Sequence, residues 1–341
     1  MHMADALVSP AVGGVMIAAS AGVMAYAVTT AKKDELNEKK LPVMGVMGAF
    51  VFAAQMINFT IPGTGSSGHL CGGILLAAML GASPAYLTLA IVLGIQAFFF
   101  ADGGLLALGA NIWNMGFYTC FIAYPFIFKA ILKKGITKKR ITLASVVSVI
   151  AALQLGAFSV VVETVASGVT DLPFAVFAAM MQPIHLAIGA VEGVVTAAIL
   201  CFVHQAKPEL LESTLQRKKL PSGIRTKKLV IGLAAAALCI GGLLSWFAST
   251  NPDGLEWSIE KITGRTEIAA GTDDAYAAAE ELQTATAVLP DYTFADSDES
   301  NAAAGTSVSG IVGGVLVCAA AAGTGAVIVA VKKRKRSVSR I

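Results

Sequence analysis

The sequence predicts an all-α integral membrane protein: a seven-helix bundle followed by a two-helix unit that holds an external loop. Three observations predict it. Of the 341 residues, 56% are hydrophobic and only 14% are charged, whereas soluble domains carry roughly a quarter charged residues. Too few charges are present to cover a water-facing surface. Apolar runs near the length that crosses a bilayer, about 20 residues, recur from one end of the chain to the other. Positive charge is gathered at 32–40, 133–140, 207–228 and 332–340, between and after those runs. The net charge of +3 gives no reason to expect a nucleic acid partner.

The elements follow in order. The first apolar run covers 10–31 and stops at KKDELNEKK; the second covers 41–61. After PGTGSSGHLCGG a short apolar segment reaches residue 80. A fourth run begins near Pro84 and ends before ADGG. The fifth, 111–132, ends in KKGITKKR, and the sixth and seventh cover 141–165 and 173–203. Two further runs, 229–249 and 308–331, flank a polar, mostly acidic stretch at 250–307. The chain thus divides into a bundle over 1–206, a basic linker over 207–227 with Pro208 and Pro221, and a two-helix unit over 228–341.

Basic loops stay cytoplasmic. With all four clusters inside, the segments alternate without conflict when the short third segment counts as a crossing. The N-terminus, the PGTGSSGHLCGG stretch and the 250–307 loop are then external, and the C-terminus is cytoplasmic. Met1, His2 and His69 share the external side. The opening MHMADALVSP has no basic n-region, and Asp5 interrupts it, so a cleaved signal peptide is not expected. Methionine removal favours a small second residue, so Met1 is expected to remain.

The chemistry-bearing residues are few. The five cysteines, Cys71, Cys120, Cys201, Cys239 and Cys318, show no CxxC spacing and read as small buried hydrophobes. His204 sits at a helix end, and His185 in QPIHLAIG reads as a packing histidine. His2 and His69 remain. A chain beginning Met-His offers a metal the Met1 amine, the His2 amide nitrogen and the His2 imidazole in one plane, and His69 would complete a square. Square-planar nitrogen favours Ni(II) or Cu(II); zinc prefers a tetrahedron, and calcium and magnesium prefer oxygen. The glycine- and serine-rich backbone before His69 is tolerated within a membrane only where protein or a cavity covers it; a plain surface loop is the alternative.

MHMADALVSP, IPGTGSSGHLCGG, DGGLLALGANIWNMG and HLAIGAVEGVVTA together resemble the CbiM/NikM family, the substrate-binding membrane components of energy-coupling-factor (ECF) transporters for nickel or cobalt. NPDGLEWSIEK and LPDYTF resemble the PDGLE domain, the NikN-like two-helix component, here fused behind the first. The resemblance implies a seven-helix fold whose external N-terminus dips into the bundle, and a metal held by Met1, His2 and His69. It implies Ni(II) or Co(II) as transported substrate rather than prosthetic group. The implied partners are a transmembrane coupling (T) subunit and cytoplasmic ATPase subunits in a prokaryotic inner membrane. The chain has no Walker motif, so ATP hydrolysis falls to other polypeptides and the protein is not an enzyme. Met3, Ala6 and Leu7 depart from the family's usual opening, while Asp5 keeps its acidic position.

Ligand imidazoles need partners on their second nitrogen; Ser66, Ser67, Asp102 and Asn114 are the candidates, with helix capping the alternative for Asn114 and Asp102. Asn111 is also polar for a helix start. Glu163 and Glu192 lie within helices, where they could pair with each other, bind a helix end or face the coupling subunit. The acidic 250–307 loop reads as a solvated or disordered segment, as a cation attractor, or as a brace for the N-terminal arm. An intramembrane protease is disfavoured, since no HExxH or nucleophile–base pair occurs. The alternative function is a membrane metal-binding or scaffold protein acting without an ATPase.

Overall fold

The computed structural model describes all residues except 1, 32–35, 37, 217, 219–225, 295–298 and 339–341. It is built almost wholly of helices: α1 (Pro10–Thr30), α2 (Leu41–Gln55), α3 (Gly73–Leu80), α4 (Ala82–Phe100), α5 (Leu108–Leu132), α6 (Lys138–Ser167) and α7 (Phe174–Ala206). Beyond them come α8 (Pro208–Leu215), α9 (Lys227–Gly242), α10 (Gly254–Thr263), α11 (Asp274–Thr286) and α12 (Glu299–Val338). Among the described residues six helices are long and apolar enough to cross a membrane: α1, α4, α5, α6, α7 and residues Ala303–Arg334 of α12. The protein is a multi-pass membrane protein. Its long helices carry apolar side chains on their outer faces, such as Val15, Phe126, Leu155 and Val194, as lipid contact requires.

The helices pack through small residues, because lipid supplies no hydrophobic force between them and close backbone approach must do the work. The pair α6 and α7 is antiparallel. A side-chain carbon on Gly193 would lie 2.6 Å from Val146 Cα, and Gln154 and Gln182 each donate to the other's backbone carbonyl. Helices α9 and α12 lie against α2: a Cβ on Gly45 would approach the Cys318 carbonyl to 2.8 Å, and one on Gly310 would approach the Gly241 carbonyl to 2.3 Å. The second half of the chain is therefore seated on the first.

Two departures from the sequence reading bear on function. The second apolar run stops as a helix at Gln55, because Phe59–Ile61 leaves it to form strand β1, paired antiparallel with β2 (Ser66–Gly68). A chain read as all-α thus contains a two-stranded hairpin. Second, most of the 250–307 loop is ordered structure. Asp253 caps α10 through a capping box with Glu256, and α11 follows. The carboxylates of Asp273, Asp274, Glu280 and Glu281 are exposed, whereas Leu255, Ile259 and Tyr276 are buried against the bundle. Asp296 and Asp298 lie outside the described residues.

Candidate metal centre

The N-terminal arm, residues 2–9, enters the bundle in extended form around a single 3₁₀ turn, Asp5–Leu7. Met3 is fully buried. Its backbone N–H donates to Asn111 Oδ1 at 2.7 Å, and its carbonyl accepts from Asn111 Nδ2 at 3.1 Å and from the Gly104 N–H at 2.9 Å. A strand neighbour would satisfy both groups; here one amide side chain does so. Asp5 accepts the Ala107 N–H at 3.0 Å, which joins the arm to the turn between α4 and α5. Gly104 must lack a side chain, since a Cβ there would sit 1.9 Å from Asp5 Oδ1.

His69 arrives by a different route. It follows β2 and precedes Cys71 and Gly72, whose N–H groups both donate to the Glu192 carboxylate at 2.9 Å. These are buried donors at the start of α3 with no partner inside the helix, where a helix dipole favours an anion. Of the options open to Glu192 from sequence, the structure shows the helix end. Gln55 adds a bond from Nε2 to the Cys71 carbonyl at 2.8 Å. Gly72 (φ 75°) and Gly81 (φ 97°) bound the eight-residue α3; left-handed backbone at both ends suits glycine.

The two imidazoles meet. Their centroids are 5.0 Å apart and their planes differ by 13°. With metal–nitrogen bonds of about 2.0 Å, imidazoles on adjacent corners of a square have centroids about 4.5 Å apart, and on opposite corners about 6.3 Å. The observed separation is closer to the adjacent value, with the two rings stacked rather than fanned about a common centre. Burial pushes both imidazoles below their ordinary range, with Asp102 partly offsetting this at His2. Both are therefore neutral at pH 7, the form that ligates metals. His69 Nδ1 donates to the Leu70 carbonyl at 3.3 Å, which leaves the lone pair on Nε2.

Asp102 faces His2, with Oδ1 at 3.2 Å from Nδ1, while among the described residues His2 Nε2 has no hydrogen-bond partner. The turn that presents Asp102 has left-handed residues on both sides, Ala101 (φ 53°) and Gly103 (φ 85°); such a conformation costs a non-glycine residue about 1 kcal/mol or more. The remaining sequence candidates lie elsewhere. Ser66 and Ser67 are buried and bond carbonyls of 251–252: Ser67 Oγ reaches Asn251 O at 2.7 Å. Asn114 donates to Glu163 at 2.6 Å and lies 3.8 Å from Met3 Sδ. Among the described residues none of these three bonds an imidazole. Met1 lies outside the described residues.

The site also has a wall on a second side. The second half of the chain reaches it at several points. The Ser67 N–H donates to the Pro252 carbonyl at 2.8 Å, and Ser67 and Asp253 form a parallel bridge. Asp253 lines the same cavity, of about 500 Å³, as His2 and His69. Tyr292 donates its hydroxyl to Asp102 and stacks on Phe100 at 4.9 Å; burial, and then the Asp102 charge, push its phenol well above the ordinary value, so it stays a donor. Tyr276 donates to the Val8 carbonyl at 2.9 Å, and Gln283 to the Gly103 carbonyl at 2.9 Å. The loop braces the arm, one of its three sequence readings. Its bonds run between residues 180 or more apart, beyond any local pattern; Asp253 and Tyr292 lie in the NPDGLEWSIEK and LPDYTF motifs.

Comparison with known proteins gives a consistent result. The family model for the CbiM cobalt uptake substrate-specific transmembrane region matches residues 2–210, and that for the PDGLE domain matches 227–330. The chain is 30% identical over 319 residues to a putative fused nickel transport protein of Archaeoglobus fulgidus, covering 94% of this chain and 96% of the relative. It is also 30% identical to the fused nickel transport protein of Rhodobacter capsulatus, covering 94% and 95%. A crystal structure of a truncated transition metal transporter superposes with a TM-score of 0.53 at 30% identity, covering 60% of this chain and 99% of that one.

Proposed function

The chain belongs to the CbiM family of cobalt uptake substrate-specific transmembrane regions, and from that premise we propose that it captures Ni(II) or Co(II) outside the cell for import by an ATP-driven ECF transporter. The observation that carries the reading is the meeting of His2 and His69, 67 positions apart in sequence, as neutral imidazoles with centroids at 5.0 Å. Nickel is the favoured cargo, because the chain aligns over 94% of its length with fused nickel transport proteins.

In this reading the Met1 amine, the His2 amide nitrogen, the His2 imidazole and His69 form a planar set of four nitrogens. The His2 ring closes a six-membered chelate with its own amide only through Nδ1. That nitrogen faces Asp102 in the metal-free arrangement, so loading moves the ring proton from Nδ1 to Nε2 and turns the ring, and Nε2–H then donates to the carboxylate. Asp102 then orients the loaded ligand, and Tyr292 orients Asp102. Residues 1–206 are the metal-binding bundle, 207–227 the cytoplasmic linker and 228–341 the NikN-like unit. The N-terminus and the 250–307 loop lie outside the prokaryotic inner membrane, and the C-terminus inside. A T subunit and ATPase subunits supply coupling and energy; the chain itself is a transport component, not an enzyme.

One experiment tests the site. The protein with its authentic N-terminus and a form whose Met1 amine is acetylated are titrated with Ni(II). One equivalent with a yellow square-planar spectrum in the first form, absent from the second, is the expected result. Equal binding by both refutes the N-terminal chelate.

A further inference from the structure

Helix α3 leads from the His69 loop into the bundle, and all eight of its residues are buried. Eight residues span about 12 Å. In so short a helix much of the backbone has no partner inside the helix, so its ends need partners from elsewhere. They come in two matched sets. At the start, Glu192 of α7 accepts the Cys71 and Gly72 N–H groups, and Gln55, the last residue of α2, donates to the Cys71 carbonyl. At the end, Thr214 of α8 donates to the Met79 carbonyl at 3.1 Å. Lys40, the residue before α2, donates from Nζ to the Leu80 carbonyl at 3.4 Å and to Thr214 Oγ1 at 3.2 Å. The two ends of α2 thus clasp the two ends of α3. The α7–α8 segment, broken only by Lys207, clasps it a second time. Lys40 and Thr214 are each 4% exposed; a buried ammonium is costly unless bonded, and a cation suits the carbonyl end of a helix. Capping accounts for donors at the Met79 and Leu80 carbonyls. It does not account for one of them coming from α8, the helix by which the chain leaves the bundle, with Leu210 and Leu211 fully buried and Glu212 and Gln216 exposed. The α3 sequence, GILLAAML, has no polar side chain, so the side-chain bonds that fix it along its axis sit at its ends. Gly72 and Gly81, both at positive φ, are the residues best able to change conformation there.

We propose that Lys40 and Thr214 are positioning residues for the metal centre: they hold α3 from its far end, and α3 holds the His69 loop against His2. The proposal rests on His2 and His69 being the capture site. Opening the far clasp frees α3 to shift between its two glycines, and His69 draws away from His2. Displacement of α8 is then a route by which movement outside the metal centre lowers its affinity. Linkage makes the effect reciprocal: metal that draws His69 to His2 also tightens the clasp on α8.

The test uses the full-length chain, read by amide hydrogen exchange and by Ni(II) titration. In metal-free protein, Thr214→Val is expected to speed exchange at the Cys71 and Gly72 amides by about fivefold or more, the lower bound of typical coupling between sites, with the amides of α6 unchanged. Thr214→Ser keeps the hydroxyl and is expected to restore wild-type exchange. Unchanged exchange at Cys71 and Gly72, an equal rise throughout the chain, or an equal rise in the serine variant overturns the proposal. Thr214→Val and Lys40→Met are each expected to raise the Ni(II) Kd by about fivefold or more, and Ni(II) is expected to slow exchange across 208–215 in the wild type. An unchanged Kd in both variants, or exchange in α8 indifferent to nickel, also overturns it. Failure of the wild type to bind Ni(II) refutes the capture reading, whereas the metal-free exchange reads the clasp without any metal, so the two failures are distinguishable.

Discussion

Glu192→Gln separates loop positioning from metal ligation, because Glu192 touches neither imidazole yet holds the backbone two and three residues beyond His69. Its carboxylate accepts the Cys71 and Gly72 N–H groups at 2.9 Å each. Glutamine keeps one acceptor oxygen but presents an NH₂ group to the second N–H. One buried donor is left unmet, at a cost of about 1–3 kcal/mol. At 1.4 kcal/mol per tenfold, that is a rise in Ni(II) Kd of roughly 5- to 150-fold, provided the metal-free loop relaxes once the bond is lost. Where the loop is rigid in both states, the same cost appears instead as a fall in Tm. Isothermal titration and thermal unfolding on one preparation therefore account for the whole effect. A variant with Kd within twofold of wild type and an unchanged Tm would refute the claim that Glu192 sets the His69 loop.

The other predictions concern the arm and its surroundings. Asp102→Asn keeps the shape of the turn but removes the anion facing His2; partners of ligand histidines are worth about 10- to 100-fold in metal affinity, and a Kd unchanged on titration would count against the ring reorientation proposed above. Asn111→Leu orphans the Met3 N–H and removes one of the two bonds to its carbonyl, which keeps the Gly104 N–H, a cost of about 1.5–4.5 kcal/mol. The arm is expected to leave the bundle, so limited proteolysis should clip it, and protection equal to wild type would contradict its anchoring role. For pH, both imidazoles are held below their ordinary value by burial, so protons compete for them only at correspondingly lower pH. Near pH 7 the protons displaced by nickel come from the Met1 amine, whose ordinary pKa is about 7.7–8.0, and from the His2 amide. Two protons should be released per metal as measured by titration in buffers of different ionisation enthalpy. A release near four would mean the imidazoles are charged.

Much of the fold was legible because its causes are local. Hydropathy and basic flanks located the long helices to within a few residues: 173–203 was expected and Phe174–Ala206 is observed. The short third segment is α3, stopped by glycine at both ends. His2 and His69, linked in the sequence by chelate chemistry, lie side by side in the structure. What stayed hidden depends on long-range packing. Asn111 stands out by polarity, but its twofold bond to Met3 needs the arm docked. Ser66 and Ser67 were read as supports for imidazoles; as strand residues they instead meet the 251–252 backbone. Nothing in a run of acidic and alanine residues announces that Tyr276, Gln283 and Tyr292 reach the arm and the Asp102 turn.

The glycine-lined seam where α9 and α12 lie against α2 has a consequence for stoichiometry. Asp253, Tyr276 and Tyr292 all belong to the polypeptide that this seam anchors, so the wall beside His2 and His69 is delivered by a tethered segment rather than by a visiting protein. Tethering converts that encounter into an intramolecular one, with an effective concentration in the millimolar range for short connections. Each bundle then carries its own wall in a fixed ratio of one to one, whatever the level of expression. The same two halves made as separate proteins would have to find that seam by diffusion in the membrane, and bundles without a partner would stand with the arm unbraced.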